Sequence, residues 1–484
     1  MLEVRNLSFS YDGLTTVLDS VEFRLSPGEI VGMLGPTGSG KSTLAKILSG
    51  FIPRVIPGTF SGQVKISDTD VTSLPLSELA RHVALVQQDP EGQICTLQVS
   101  DEVAFGPENY LLEASIIGGM VADSLEAVGA GHLKDRPTYA LSGGEKQRAV
   151  IAAMLACRPQ YLILDEPSSS LDPTGVAKLR EVLLALKQEN IGVLCIEHRL
   201  PTVLPIADRI LELNDSRLSK WDSAVSSHQE VIQSEDTKLG IGQPIIRTEK
   251  ISFSYGERTA LRDVTFAAYP GEIIAVMGDN GSGKTTLLSL IGGLQNPDAG
   301  EVYLENHPIG SLAPSDLARR VAMVFQNPNH QIFEKSVWKE QILSLQVLEL
   351  LTEDTREEAK RLLKLAGLED IKERNPFSLS HGQKRRLNVA SVIIHNPQVY
   401  LFDEPLIGQD LPGRQLMAET IRKRAETGGV SMIVTHDTAF ALHHCNRILF
   451  MEEGSILLDG SPTSVMERLE KMGRLEYVET EVGA

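Results

Sequence analysis

The chain has 484 residues, 42% of them hydrophobic, which is enough to bury two ordinary cores, so two domains are expected. A formal net charge of -18 excludes a broad nucleic-acid surface, because a polyanion would be repelled unless a basic patch intervened. The four cysteines lack disulfide or metal-ligand spacing and read as buried structural thiols, and no apolar run reaches the roughly 18 residues of a membrane span.

In chain order, MLEVRNLSFSYDG has neither a basic n-region nor an apolar h-region, so a cytosolic chain is expected, with any membrane role borrowed from a partner. IVGMLG reads as a strand, and it runs into Gly35, Pro36, Thr37, Gly38, Ser39, Gly40, Lys41, Ser42 and Thr43, after which STLAKILSG reads as a helix. Gln88 follows the apolar end of VQQDP. LSGGEKQR (Leu141 to Arg148) reads as a helix start with Ser142 at the N-cap, followed by Gly143 and Gly144. YLILDEP is a strand ending in Asp165 and Glu166, and VLCIEH is a strand ending in His198. Asn214 to Pro244 is rich in serine and charge and poor in apolar spacing, so much of it reads as linker.

The pattern then repeats. SFSY recurs at Ser252 to Tyr255, and IIAVMG precedes Gly278, Asp279, Asn280, Gly281, Ser282, Gly283, Lys284, Thr285 and Thr286. Lys41 and Lys284 lie 243 positions apart, whereas Gln88 and Gln326, Ser142 and Ser380, Asp165 and Asp403, and His198 and His436 lie 238 apart. A tandem duplication with one five-residue slip between the glycine loop and the glutamine accounts for the offsets of 243 and 238. Alternation of short apolar runs with amphipathic ones gives each copy an α/β fold around a largely parallel buried sheet. The expected boundaries are residues 1–225 for the first domain, 226–244 for the linker and 245–484 for the second domain.

Both glycine loops match G-x-x-x-x-G-K-[ST]. Glycines let successive backbone N–H groups turn around a polyphosphate, and the helix that follows directs its positive end to the same place. Lys41 and Lys284 add charge at the β and γ phosphates, and Ser42 and Thr285 offer a hydroxyl to Mg²⁺. Asp165 and Asp403, at strand ends, are placed to hold the metal's hydration shell, and Glu166 and Glu404, alternating in direction along an extended chain, are placed to act as general bases for water. The helix starts at Ser142 and at Ser380, His381 and Gly382 are a second anion site that their own domains do not otherwise need.

Phosphate loop, glutamine after a strand, LSGG-type motif, strand-end DEP and strand-end histidine, in this order and twice over, resemble the nucleotide-binding domains of ABC ATPases. The resemblance implies two P-loop NTPase domains of ABC type, each with a helical subdomain, paired head to tail within one molecule. Each ATP would then lie between the phosphate loop of one half and the LSGG-type helix start of the other. It further implies that Tyr11 and Tyr255 stack on adenine, that Gln88 and Gln326 sense Mg²⁺ and water, that His198 and His436 contact the γ-phosphate, and that Asp172 and Asp410 belong to loops that cross-talk. The half-site starting at Ser380 departs from the family pattern, because His381 stands where a glycine would allow close approach to phosphate. The site completed by Ser142 is therefore expected to hydrolyse faster than the site completed by Ser380, against neutral variation as the alternative.

DEVAFGPEN, within Asp89 to Leu112, resembles the ATPases of energy-coupling factor transporters and their cobalt or nickel relatives. This implies a peripheral subunit at the cytoplasmic face of the cell membrane, bound to an integral-membrane coupling subunit and working with a substrate-capture membrane protein to import a vitamin, for example thiamine or its precursor, or a transition-metal ion. Ile94, Leu97, Val99 and Phe105 are either an apolar groove for the partner's helix or part of the core. The other readings are a soluble tandem ABC protein acting on ribosomes or DNA, and the ATPase of a sugar or peptide importer. The short, acidic-to-neutral linker and the unclustered cysteines speak against the first of these.

Overall fold

The computed structural model describes residues 1–36, 38–168, 171–197, 200–221, 242–409 and 411–478. The chain divides into two compact units, Met1–Ser227 and His228–Gly483. Each unit holds a four-stranded antiparallel sheet and a six-stranded sheet that is parallel except at one edge.

In the first unit the six-stranded sheet runs Arg217–Lys220, Arg209–Asn214, Ile30–Leu34, Gly192–Ile196, Tyr161–Asp165, Val83–Val86. In the second it runs Val321–Val324, Val399–Asp403, Val430–Val434, Ile273–Gly278, Arg447–Glu452, Ser455–Gly460. The central strands are apolar at most positions because both of their faces are covered. Leu162 and Leu164 face one core, together with the helices Val99–Asn109, Ala114–Ala127 and Gly143–Ala156. Tyr161 and Ile163 face the other, against the antiparallel sheet Thr16–Leu25, Leu2–Ser10, Thr59–Ile66, Thr69–Asp70. The second unit repeats this division, with Tyr400 and Phe402 on the helical side and Val399 and Leu401 on the other.

The front of the serine-rich stretch lies inside the expected first domain and is sheet: Asp215 and Ser216, both at positive φ, turn the chain into a hairpin, and Arg217–Lys220 pairs antiparallel with Arg209–Asn214. Most of the expected linker, 226–241, lies outside the described residues. Of the cysteines, only Cys195 and Cys445 are buried; Cys95 is exposed. The five-residue slip falls between Leu48 and Ile66, where the first unit inserts the short helix Phe51–Arg54. Among the described residues no helix is long and apolar enough to cross a membrane.

Candidate functional site

In both units the loop strand, Ile30–Leu34 or Ile273–Gly278, is flanked on both sides within the parallel part of its sheet, and the glycine loop leaves its carboxyl end. The helices Lys41–Leu48 and Lys284–Ile291 begin directly at the lysines. Gly35 and Gly278 are obligatory for steric reasons: at φ 151° and 135°, an added Cβ would stand 2.2 Å from the Leu213 carbonyl oxygen and 2.1 Å from that of Met451. Lys41 Nζ donates to the Gly35 and Pro36 carbonyls at 2.7 and 2.9 Å, and Lys284 Nζ donates to those of Gly278 and Asp279 at 2.8 and 2.9 Å. The ammonium groups are therefore held inside the loops they serve. Thr37 lies outside the described residues.

The strand-end acids meet the loop from the neighbouring chain segments. Thr285 donates its hydroxyl to Asp403 Oδ1 at 3.1 Å, and Ser42 hydrogen-bonds Asp165 in the first unit. Burial pushes both carboxyls above the usual carboxylate range, with the hydroxyls opposing the shift. Asp165 Oδ1 is buried and has no hydrogen-bond partner among the described residues. A desolvated carboxylate beside a hydroxyl is a hard-oxygen donor pair of the kind Mg²⁺ takes, so these residues fit that ion.

The next residue is not where an extended strand would put it. Both strands stop at the aspartates, and Glu166 and Glu404 adopt positive φ, 51° and 50°, which is uncommon for residues other than glycine. Their backbone N–H groups donate to Ile196 and Val434 at 2.9 and 3.1 Å, so the adjacent strand fixes the turn. Gln88 Nε2 donates to Glu166 Oε2 at 2.6 Å, and His436 Nε2 lies 3.0 Å from Glu404 Oε1. The structure thus brings glutamine and acid together in the first unit and acid and histidine together in the second. His198, the first unit's counterpart of His436, lies outside the described residues, as does Asp410.

Tyr11 and Tyr255 are about half exposed and stand edge-to-face on Phe9 and Phe253, with centroids 4.8 and 4.9 Å apart. The Tyr11 hydroxyl meets Thr43 Oγ1 at 2.9 Å, and the Tyr255 hydroxyl donates to Gln295 Oε1 at 3.3 Å. Asp172 caps the helix Pro173–Gln188 by accepting from Gly175 N at 2.7 Å.

Ser142 and Ser380 are exposed N-caps of Gly143–Ala156 and His381–Ile393, each closed by a reciprocal capping box. Glu145 and Gln383 fill the same role, accepting from Ser142 N at 2.8 Å and from Ser380 N at 3.0 Å, so the Gln-to-Glu difference leaves the cap intact. His381 Nε2 accepts from Arg385 one turn along at 3.3 Å.

Several residues that build this geometry were not singled out from sequence. Arg385, buried, donates to the Gln326 carbonyl at 2.6 Å and also to the Glu404 carbonyl, joining the serine-led helix to glutamine loop and acid. Burial lowers its pKa to about 10, which leaves it charged at neutral pH. Gln93 and Gln331 clamp the backbone that leads into the glutamine loops, accepting from Gln87 N and Phe325 N and donating to Leu85 and Met323 carbonyls. Glu102 and Glu340, nearly fully buried, each accept two successive backbone N–H groups, of Cys95 and Thr96 and of Phe333 and Glu334. Both pairs share the 238-residue offset, a signal that was present in the repeat.

Of the four candidate groove residues, Val99 is fully buried and belongs to the core, and Ile94 packs partly against it. Leu97 and Phe105 are 72% and 47% exposed.

The profile of a family described as "ABC transporter" matches residues 18–169 and 261–407. A Bacillus subtilis protein named "Putative HMP/thiamine import ATP-binding protein YkoD" is 31% identical over 97% of this chain and 93% of its own length. A Saccharolobus solfataricus ABC transporter ATP-binding protein is 31% identical over all of this chain and 98% of its own. Across 97% of this chain and 80% of the other, the fold is that of a chain in a model of ribosome-bound archaeal Pelota and ABCE1, with TM-score 0.68 at 22% identity, a likeness of fold alone.

Proposed function

This chain belongs to the ABC transporter family of ATP-binding proteins and hydrolyses ATP, and from that premise we propose that it is the energy-coupling ATPase of an importer of the energy-coupling factor type. On this reading it works as a peripheral subunit at the cytoplasmic face of the cell membrane. It drives an integral-membrane coupling subunit, while a separate membrane protein captures the cargo. The cargo is a vitamin, with thiamine or its precursor favoured by the name of the Bacillus relative, or a transition-metal ion.

Each ATP is read as lying between the phosphate loop of one half and the exposed serine-led helix start of the other, an intramolecular pseudo-dimer in which neither half completes a site alone. Tyr11 and Tyr255 present ring faces to the adenine. Lys41 and Lys284 move from loop carbonyls to the β and γ phosphates. Mg²⁺, held by Ser42 with Asp165 and by Thr285 with Asp403 and watched by Gln88 and Gln326, would neutralise phosphate charge. Glu166 and Glu404 take the proton of the attacking water, with His436 and its counterpart His198 at the γ-phosphate.

The observation that carries the importer reading is the exposure of Leu97 and Phe105 on the segment after Gln88, whose neighbours Val99 and Val103 are core. Large apolar side chains left in water beside a rigidly anchored loop suit a partner helix. Purified from membranes, the full chain is expected to bring a small integral subunit with it. Replacing Leu97→Asp and Phe105→Asp together should lower that recovery about ten-fold without lowering the melting temperature, since anchors at an interface centre carry most of its energy. Full recovery of the subunit by the double variant would remove the assigned surface, and co-sedimentation with ribosomes would remove the importer.

A further inference from the structure

The second phosphate loop carries a carboxylate where the first carries a ring: Asp279 follows Gly278 as Pro36 follows Gly35. A loop whose backbone amides face an anion is a poor place for an acid, because a free carboxylate there would repel phosphate over a few ångströms. Both oxygens of Asp279 are instead taken up by the last described turn of the unit. The Tyr477 hydroxyl donates to Oδ1 at 2.6 Å, and the Arg474 guanidinium donates to Oδ2 at 2.9 Å.

This pair is built in rather than draped over the surface. Tyr477 is fully buried, stands edge-to-face on Phe450 at 4.9 Å, and accepts the Thr438 hydroxyl on its backbone carbonyl at 3.0 Å, two residues beyond His436. Arg474 also pairs with Glu452, the residue after Met451, whose strand runs beside Gly278. Its bond to Asp279 is the main cause that raises the Arg474 pKa, so the guanidinium stays charged throughout the working range. One residue therefore touches both the phosphate loop and the segment following the histidine, and a second brings positive charge to the loop's only acid.

We propose that Arg474 and Tyr477 are positioning residues that neutralise and hold the Asp279 carboxylate, and so set the nucleotide affinity of the second phosphate loop, a control the first loop lacks because Pro36 offers no acid. The inference rests on reading that loop as a nucleotide site.

The test uses the full chain carrying Lys41→Ala, so that the second loop dominates the signal, and follows ATP binding by equilibrium titration with Mg²⁺. Arg474→Gln should raise Kd about five-fold, and Tyr477→Phe, which keeps the ring packed, about two-fold, as partly exposed charge interactions allow. The Arg474→Gln effect should shrink with added salt. In an Asp279→Asn background, Arg474→Gln should change Kd by less than about 1.5-fold, since no charge is left to mask. An equal rise with and without Asp279→Asn, or no rise in either, overturns the proposal. Lys284→Ala serves as the control: binding that survives it defeats the nucleotide assignment, whereas binding that it abolishes but that ignores Arg474→Gln defeats this inference alone.

Discussion

Glu404→Gln is expected to slow single-turnover ATP hydrolysis by about a hundred-fold or more while leaving nucleotide binding within about two-fold, the loss typical of removing a general base. Glutamine keeps the shape of the side chain and one acceptor oxygen and removes its capacity to take a proton. Glu404 is well placed to show the effect, being 4% exposed with its Oε1 3.0 Å from His436 Nε2. Glu166→Gln is expected to cost less of the total rate. The reason lies in the proposed pairing, which sets Glu404 opposite the glycine-containing start at Ser142 and Glu166 opposite Ser380 and His381. The structure turns the His381 ring toward Arg385, which lessens but does not remove the bulk at that helix start. Equal losses in the two variants would show that the two sites turn over alike and that His381 is neutral.

Arg385→Met is the second large effect. The guanidinium is the only described donor shown to reach both the Gln326 and Glu404 carbonyls, and it does so from a position 2% exposed. Truncation strands two buried acceptors, so the second unit should lose about 3 kcal/mol of stability in urea unfolding. Hydrolysis should fall as well, because the same fork holds the backbone of Glu404, the proposed general base, against the glutamine loop. Arg385→Lys keeps the charge but not the planar fork and should rescue little. A loss below about 0.5 kcal/mol would mean that water replaces the fork freely. The first unit has Gln147 at the matching position, buried, with its Nε2 lacking a partner among the described residues, so the device belongs to one half only.

The parts of this molecule that could be read from the chain are those whose cause is local. YLILD and VYLFD announce strands because both faces are buried, and Ser142 and Ser380 announce helix starts because a hydroxyl three residues before a glutamate or glutamine closes a capping box. Arg385 could not be read this way: within KRR it looks like one more solvated cation, and only the fold brings carbonyls from residues 326 and 404 to it. The same holds for Glu102 and Glu340, acids in helices that turn inward to satisfy loop amides. The strand Arg217–Lys220 was hidden because its polar residues lie on a sheet edge, where alternation is weak.

Glu166 and Glu404 carry a consequence for the evolution of the chain. Their left-handed backbone suits glycine better by about 1 kcal/mol, a cost that the contacts of the two side chains with Gln88 and His436 offset only in part. Under selection for heat resistance without selection for ATP hydrolysis, glycine at these two codons would relieve the backbone strain, and on the proposed roles it would give molecules that no longer turn over. On the proposed general-base role, endurance and work pull in opposite directions at two points on this chain.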